Sequence, residues 1–176
     1  EAVHTNPMSG EAYDDFRTLV VNFLLGTDMK VHAEHSKLIQ GIFSDGVVVD
    51  GEIPILLRSI LHVADIANPL KPFPIYVRWV ELVLAEFWSQ GDEERRRGLP
   101  ISLLCDRNTT SLGKPQAGFI NFVVKPFISE MTEVLPRVWL DRMNDNAARM
   151  ATLDPEMERE ILARIRALTE EGGRCW

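Results

Sequence analysis

One carboxylate, Asp65, stands in Leu61-His62-Val63-Ala64-Asp65-Ile66-Ala67-Asn68-Pro69, a stretch that is otherwise mostly apolar and stops at Asn-Pro. An ionised acid is rarely buried unless it is paired, hydrogen-bonded or bound to a metal. A second stretch, Pro115-Gln116-Ala117-Gly118-Phe119, sets an amide three residues before an aromatic ring. On a helix those two side chains share a face. The amide has one donor side and one acceptor side, and the ring offers apolar area under a flat ligand. An acid for a metal and an amide with a ring for a heterocycle would make a specific site. Each residue also has a plainer reading. Asp65 could pair with Arg58 or His62 on a solvent-facing stripe. Gln116 could be an exposed first-turn residue, Phe119 a core residue and Asn68 a turn former before proline. Glu86 reads as one more solvated acid on an amphipathic helix. His4, His32 and His35 match no ligand spacing, and a lone Asp does not specify a metal.

The elements that must position these residues are helical almost throughout. Tyr13, Phe16, Leu19, Val20, Phe23 and Leu24 recur at helical spacing. Asp28 suits the cap of a second helix ending near Phe43. Val47, Val48 and Val49 form a possible short strand between Ser44-Asp45-Gly46 and Asp50-Gly51. Ile53 to Ala67 reads as a helix stopped by Asn68-Pro69 and Pro72. Ile75 to Gln90 is amphipathic, with Ile75, Trp79, Leu82, Val83 and Phe87 on or near one face and Gly91 placed as its C-terminal cap. Asp92 to Arg97 reads as a short solvated helix, and Leu99 to Ser111 as a loop. A helix opens at Pro115 or Gln116. Asp154-Pro155 starts the last one, with Met157, Ile161, Ile165 and Leu168 as its buried stripe and Gly172-Gly173 as its end. The fold class is therefore all-α, and residues 1–176 are expected to form one domain.

Bulk composition narrows the function. The formal net charge of −7 argues against non-specific nucleic-acid binding. No apolar run has the length of a membrane span. Cys105 and Cys175 fit neither a disulfide framework nor a metal spacing, which favours a reducing, cytoplasmic setting. No glycine-rich phosphate loop and no serine or cysteine nucleophile arrangement is present. The chain opens on Glu1 rather than Met, so a longer parent protein is expected.

Four blocks in order give the chain a resemblance to the C-terminal part of the catalytic domain of class I cyclic nucleotide phosphodiesterases, from about Tyr13 to Phe127. They are Leu24-Leu25-Gly26-Thr27-Asp28-Met29 with His32; Ile60 to Pro69; Glu86-Phe87-Trp88-Ser89-Gln90-Gly91-Asp92 continued by Gly98 to Ser102 and Cys105-Asp106-Arg107; and Gln116 to Ile120. The resemblance implies a compact multi-helix fold of the HD-type superfamily. It implies hydrolysis of the 3′,5′-cyclic phosphodiester of cAMP or cGMP to the 5′-monophosphate. It also implies two divalent ions, zinc and magnesium or manganese, bridged by the attacking water. Asp65 then matches the aspartate that ligates both ions. Glu86 matches the acid orienting the catalytic histidine. Gln116 matches the glutamine on the purine edge and Phe119 the ring stacked on the purine. Val83 matches the opposing clamp, and Asn68, Ile66, Met29, Phe87 and Leu104 line the same pocket.

The sequence departs from the family pattern in places. The family's His-Asn-x-x-His motif and later His-Asp pair do not occur in it, and in the family they precede the position of Tyr13. Asn108 and Pro115 also differ from common members, and Pro115 removes a hydroxyl and an N–H beside the base pocket. The chain as given is expected to be inactive alone, with regulatory domains in the parent protein. The alternative is a non-catalytic helical module that binds nucleotide without the metal-ligand histidines.

Overall fold

A computed structural model describes residues 9–44 and 48–172. His4, Asp45, Gly46, Val47, Gly173 and Cys175 lie outside the described residues. Among those described, every regular element is helical, and no helix is long and apolar enough to cross a membrane. Val48 and Val49 form no strand. The chain divides into two compact units, Glu1–Ile66 and Ala67–Trp176.

The first unit holds α1 (Gly10–Leu25), α2 (His32–Ser44) and α3 (Ile53–Asp65). Ser9 caps α1 by accepting from the Ala12 amide at 3.3 Å. Asp28 accepts from the Lys30 amide at 2.9 Å and opens the 3-10 turn Met29–Val31 that leads into α2. Pro54 sits in the first turn of α3, where a missing N–H costs nothing. The interior of this unit is small: Ile39, Ile42, Val63 and Ile66 are buried together with the polar His35, Ser59 and His62. The expected α1 helix forms, but its apolar residues stand out in solvent, with Tyr13, Phe16 and Leu24 all more than half exposed.

The second unit is organised on α4 (Phe73–Arg96), with α5 (Gly113–Phe119), α6 (Lys125–Ser129), α7 (Arg137–Ala151) and α8 (Pro155–Gly172). The buried face of α4 is Tyr76, Val77, Val80, Glu81, Leu84, Trp88 and Gly91. This corrects the stripe expected from sequence: Ile75, Trp79 and Leu82 are exposed. The helix is apolar on nearly all sides, so periodicity alone could not choose the inner face. Glu81 lies on the inner face with the apolar residues. Its carboxylate is buried yet satisfied, accepting from Arg78 at 2.8 Å and from Arg164 of α8 at 2.6 Å. An acid so paired can face the interior.

Gly91 is also reassigned. It is not a cap, because α4 runs on to Arg96. A Cβ at Gly91 would collide with the backbone carbonyl of Cys105, so glycine there lets the following loop cross close to the helix. The charged segment 92–97 is the end of α4 rather than a separate helix, and it holds that loop. Glu94 accepts from the Ser102 amide at 2.7 Å, Arg95 reaches Asp106 at 2.8 Å, and Arg107 pairs with Asp92. Asp154 caps α8 through the Glu156 and Met157 amides at 2.9 and 3.1 Å. Ile161 and Ile165 are fully buried as expected, whereas Met157 is exposed.

Candidate active site

Asp65 is the last residue of α3 and is exposed. That overturns the premise that its burial must be explained. It makes no salt bridge with Arg58, His62 or any other described residue. One turn back, His62 is fully buried, its Nε2 2.8 Å from Nδ1 of His32. This contact ties the start of α2, next to the turn carrying Met29, to the end of α3. Met29 is exposed and Ile66 buried.

His35 completes a cluster of three histidines, two of them buried, its ring centroid 5.8 Å from that of His62. Its Nε2 lies 2.6 Å from Ser59 Oγ, which in turn donates to the Ile55 carbonyl at 2.7 Å. Burial, with the charge of Arg58 next and then His62 and His32, lowers the His35 pKa to about 4, against a backbone hydrogen bond to Ile55 that raises it. Burial and His32 also lower the pKa of His62, against an opposing pull from Asp65.

The pH consequence has a definite sign. Below its ordinary pKa of 6.5 His35 is protonated in the unfolded chain but not in the folded one. Stability is therefore full above about 6.5 and falls as the pH drops towards 4. Over that window the loss from His35 is on the order of 3 kcal/mol. His35→Gln should flatten the fall in melting temperature between pH 7 and pH 4.5. An unchanged slope would show that His35 is not held neutral by its surroundings.

In the second unit, Gln116 and Phe119 lie on α5 and are both half-buried. The buried Tyr76 hydroxyl donates to Gln116 Oε1 at 3.1 Å, binding α5 to α4. Burial pushes the Tyr76 pKa up, so it remains a neutral donor. The bond uses one side of the amide and leaves the two N–H donors of Nε2 for a ligand. Val83 and Phe87 follow Tyr76 by seven and eleven positions on α4, which places all three on one face. Both are half-buried, as are Asn68 and Leu104. The Asn68 Oδ1 is buried with no hydrogen-bond partner among the described residues. Leu104 has φ 66°, the left-handed region that costs a leucine roughly 1–2 kcal/mol. Glu86 is exposed on α4 and in no salt bridge among the described residues.

Three positioning features escaped the sequence reading. Tyr76 fixes the amide of Gln116. Asn146, buried on α7, donates to the carbonyls of Pro69 and Lys71 at 2.7 and 2.9 Å and so holds the turn after Asn68. Five residues directly after Phe119, Ile120–Val124, are wound as a π-helix. Of these only Tyr76 left a signal, because a tyrosine on a buried face needs a partner for its hydroxyl.

The site residues of the first unit are Met29, Asp65 and Ile66. Those of the second are Asn68, Val83, Glu86, Phe87, Leu104, Gln116 and Phe119. Among the described residues no three His, Cys, Asp or Glu side chains converge as a metal site. Asp65 offers an exposed carboxylate in no salt bridge with any described residue, but the described residues do not by themselves make up a metal centre.

A profile of the family described as 3'5'-cyclic nucleotide phosphodiesterase matches residues 3–144. Dual specificity calcium/calmodulin-dependent 3',5'-cyclic nucleotide phosphodiesterase 1C of Mus musculus is 36% identical over 131 residues, 74% of this chain and 18% of that protein. The 3',5'-cyclic-AMP phosphodiesterase 4C of Mus musculus is 34% identical over 169 residues, 82% of this chain and 24% of that protein. Among solved structures, LmjPDEB1 in complex with IBMX superposes with a TM-score of 0.76 at 26% identity, covering 83% of this chain and 45% of that one. The phosphodiesterase domain of Salpingoeca rosetta rhodopsin phosphodiesterase gives 0.72 at 26% identity, covering 94% and 50%. The chain thus spans about a fifth of the length of these curated relatives and about half of each solved chain. With the helical fold, the ordered blocks and a profile match over most of its length, this chain belongs to the 3'5'-cyclic nucleotide phosphodiesterase family.

Proposed function

We propose that the chain supplies the C-terminal part of a catalytic domain that hydrolyses the cyclic phosphodiester of cAMP, cGMP or both to the 5′-monophosphate. The observation that carries this reading is the amide of Gln116, anchored by Tyr76 and set one turn before Phe119 on the same helix. A fixed amide beside a half-buried ring suits the polar edge and flat face of a purine. Val83, Phe87, Asn68 and Leu104 are the proposed lining of that pocket, and Ile66 and Met29 of the first unit are proposed as further substrate-binding residues. Relatives named for dual specificity and for cyclic AMP support a purine 3′,5′-cyclic nucleotide as the substrate class.

Asp65 is proposed as one ligand of the divalent ions, and Glu86 as the acid that orients a catalytic histidine. That histidine and the other ligands would come from parts of the parent protein outside this chain. Two such ions, when bound, supply charge stabilisation and an acidified water.

Gln116→Ala in the complete parent protein tests the pocket. The purine's polar edge then lacks its partner at a desolvated position, which costs about 1–3 kcal/mol in transition-state binding. The expected result is a fall in kcat/KM of roughly 5- to 150-fold, with changed preference between cAMP and cGMP and unchanged metal content. Unaltered kinetics on both nucleotides would remove Gln116 from the site.

A further inference from the structure

We propose that Glu158 is a positioning residue for the purine pocket, acting from α8 as the N-terminal cap of α5, the helix that carries Gln116 and Phe119. The proposal rests on the pocket reading above.

Helix α5 has seven residues and no cap of its own: Leu112 precedes it with a helical backbone and an apolar side chain. A local substitute has no room. Leu112 is fully buried, and a Cβ at Gly113 would fall 2.5 Å from the Met150 carbonyl oxygen at the end of α7. The orphan amides of the first turn are met from 45 residues away. Glu158 Oε1 accepts from the Leu112 amide at 2.7 Å and from the Gly113 amide at 3.3 Å. Both bonds are charge-assisted and favoured by the positive end of the helix.

The link to the pocket is short. Leu112 is held at its N–H by Glu158, and its carbonyl accepts the first helical bond, from the Gln116 amide at 3.2 Å. Moving the Leu112 backbone therefore moves Gln116. The other end of the strut is fixed as well. The Glu158 amide is bonded to the carbonyl of Asp154 at 2.9 Å. Farther along, α8 is anchored by Ile161, Ile165 and the Arg164–Glu81 pair to α4, which also carries Tyr76, Val83 and Phe87. Glu158 thereby fixes α5 to the α4–α8 pair, of which α4 carries the proposed wall residues Val83 and Phe87. It lies beyond residue 144, where the family match ends.

Four variants of the complete parent protein test this: E158A, E158Q, E158D and Q116A. E158Q keeps the reach and one acceptor oxygen, whereas E158D keeps the charge but is a methylene too short. Loss of a helix cap should raise the KM for cyclic nucleotide about fivefold in E158A and E158D, with kcat within about twofold. Cyclic AMP and cyclic GMP should be less well discriminated, and bound metal unchanged. E158Q should return KM to within about twofold of the parent.

A fall in melting temperature with unchanged KM in E158A would make the contact purely structural and overturn the proposal. If E158A does not fold, E158D and E158Q decide, and equal KM values in those two overturn it. Q116A keeps the two failures apart. If Q116A changes KM or nucleotide preference and the Glu158 variants do not, the cap proposal fails alone. If Q116A changes neither, the pocket reading fails and takes the proposal with it.

Discussion

Asp65→Asn in the complete parent protein is expected to cut turnover by at least about a hundredfold while leaving the metal-free fold as stable as before or slightly more so. The stability half follows from where Asp65 stands. It is exposed, in no salt bridge with any described residue, and placed at the C-terminal end of α3. A negative charge there opposes the helix dipole, typically by 0.3–1 kcal/mol, which neutral asparagine would relieve. The turnover half follows from its proposed role. Loss of groups that merely support metal ligands commonly costs 10- to 100-fold in metal affinity or activity, so loss of an anionic ligand itself should cost more. Metal content and turnover, with the melting temperature taken after metal removal, check both halves. Normal metal content with near-normal turnover would remove Asp65 from the site.

Gly91→Ala is expected to destabilise the protein by about 2–3 kcal/mol, a fall of roughly 5–10 °C in melting temperature for a chain of this size. The sign is the informative part. In an ordinary helix interior, alanine is better than glycine by about 1 kcal/mol. At Gly91 the added methyl meets the backbone of Cys105 and not a flexible side-chain end, so no rotamer change relieves it. The loop must shift or the helix must bend. Leu104, already in the left-handed region, is the next residue to be displaced. In the complete parent protein, with Leu104 in the proposed purine pocket, the KM for cyclic nucleotide should rise as well. A stabilised Gly91→Ala variant would show that the helix and the loop do not approach so closely.

The helical class, most of the element boundaries and the grouping of Gln116 with Phe119 could be read from the sequence, because each rests on local spacing and on Pro, Gly and Asp punctuation. Asp154-Pro155 started a helix, and Asn68-Pro69 ended one, within two residues of the expected places. What could not be read depends on partners distant in the chain. The burial of Glu81 is satisfied in part by Arg164, 83 positions later, a partner that spacing along α4 does not reveal. Gly91 resembled a cap until the backbone of Cys105 was seen against it. Asp65 sits among apolar neighbours, yet it ends its helix facing solvent, as the reading of a solvent-facing stripe allowed.

The π-helical turn after Phe119 has a consequence for how this region can change length. Such a turn holds one residue more than an α-helical turn. Deleting one residue there, such as the 83% exposed Phe122, would return the segment to ordinary α-helix with its hydrogen-bond ladder complete. Point changes at Ile120 and Val124, both fully buried, carry no such tolerance. Single-residue gains and losses among relatives should therefore collect inside this turn. An indel elsewhere in 113–129 would rotate the ends of the segment against each other by about 100°.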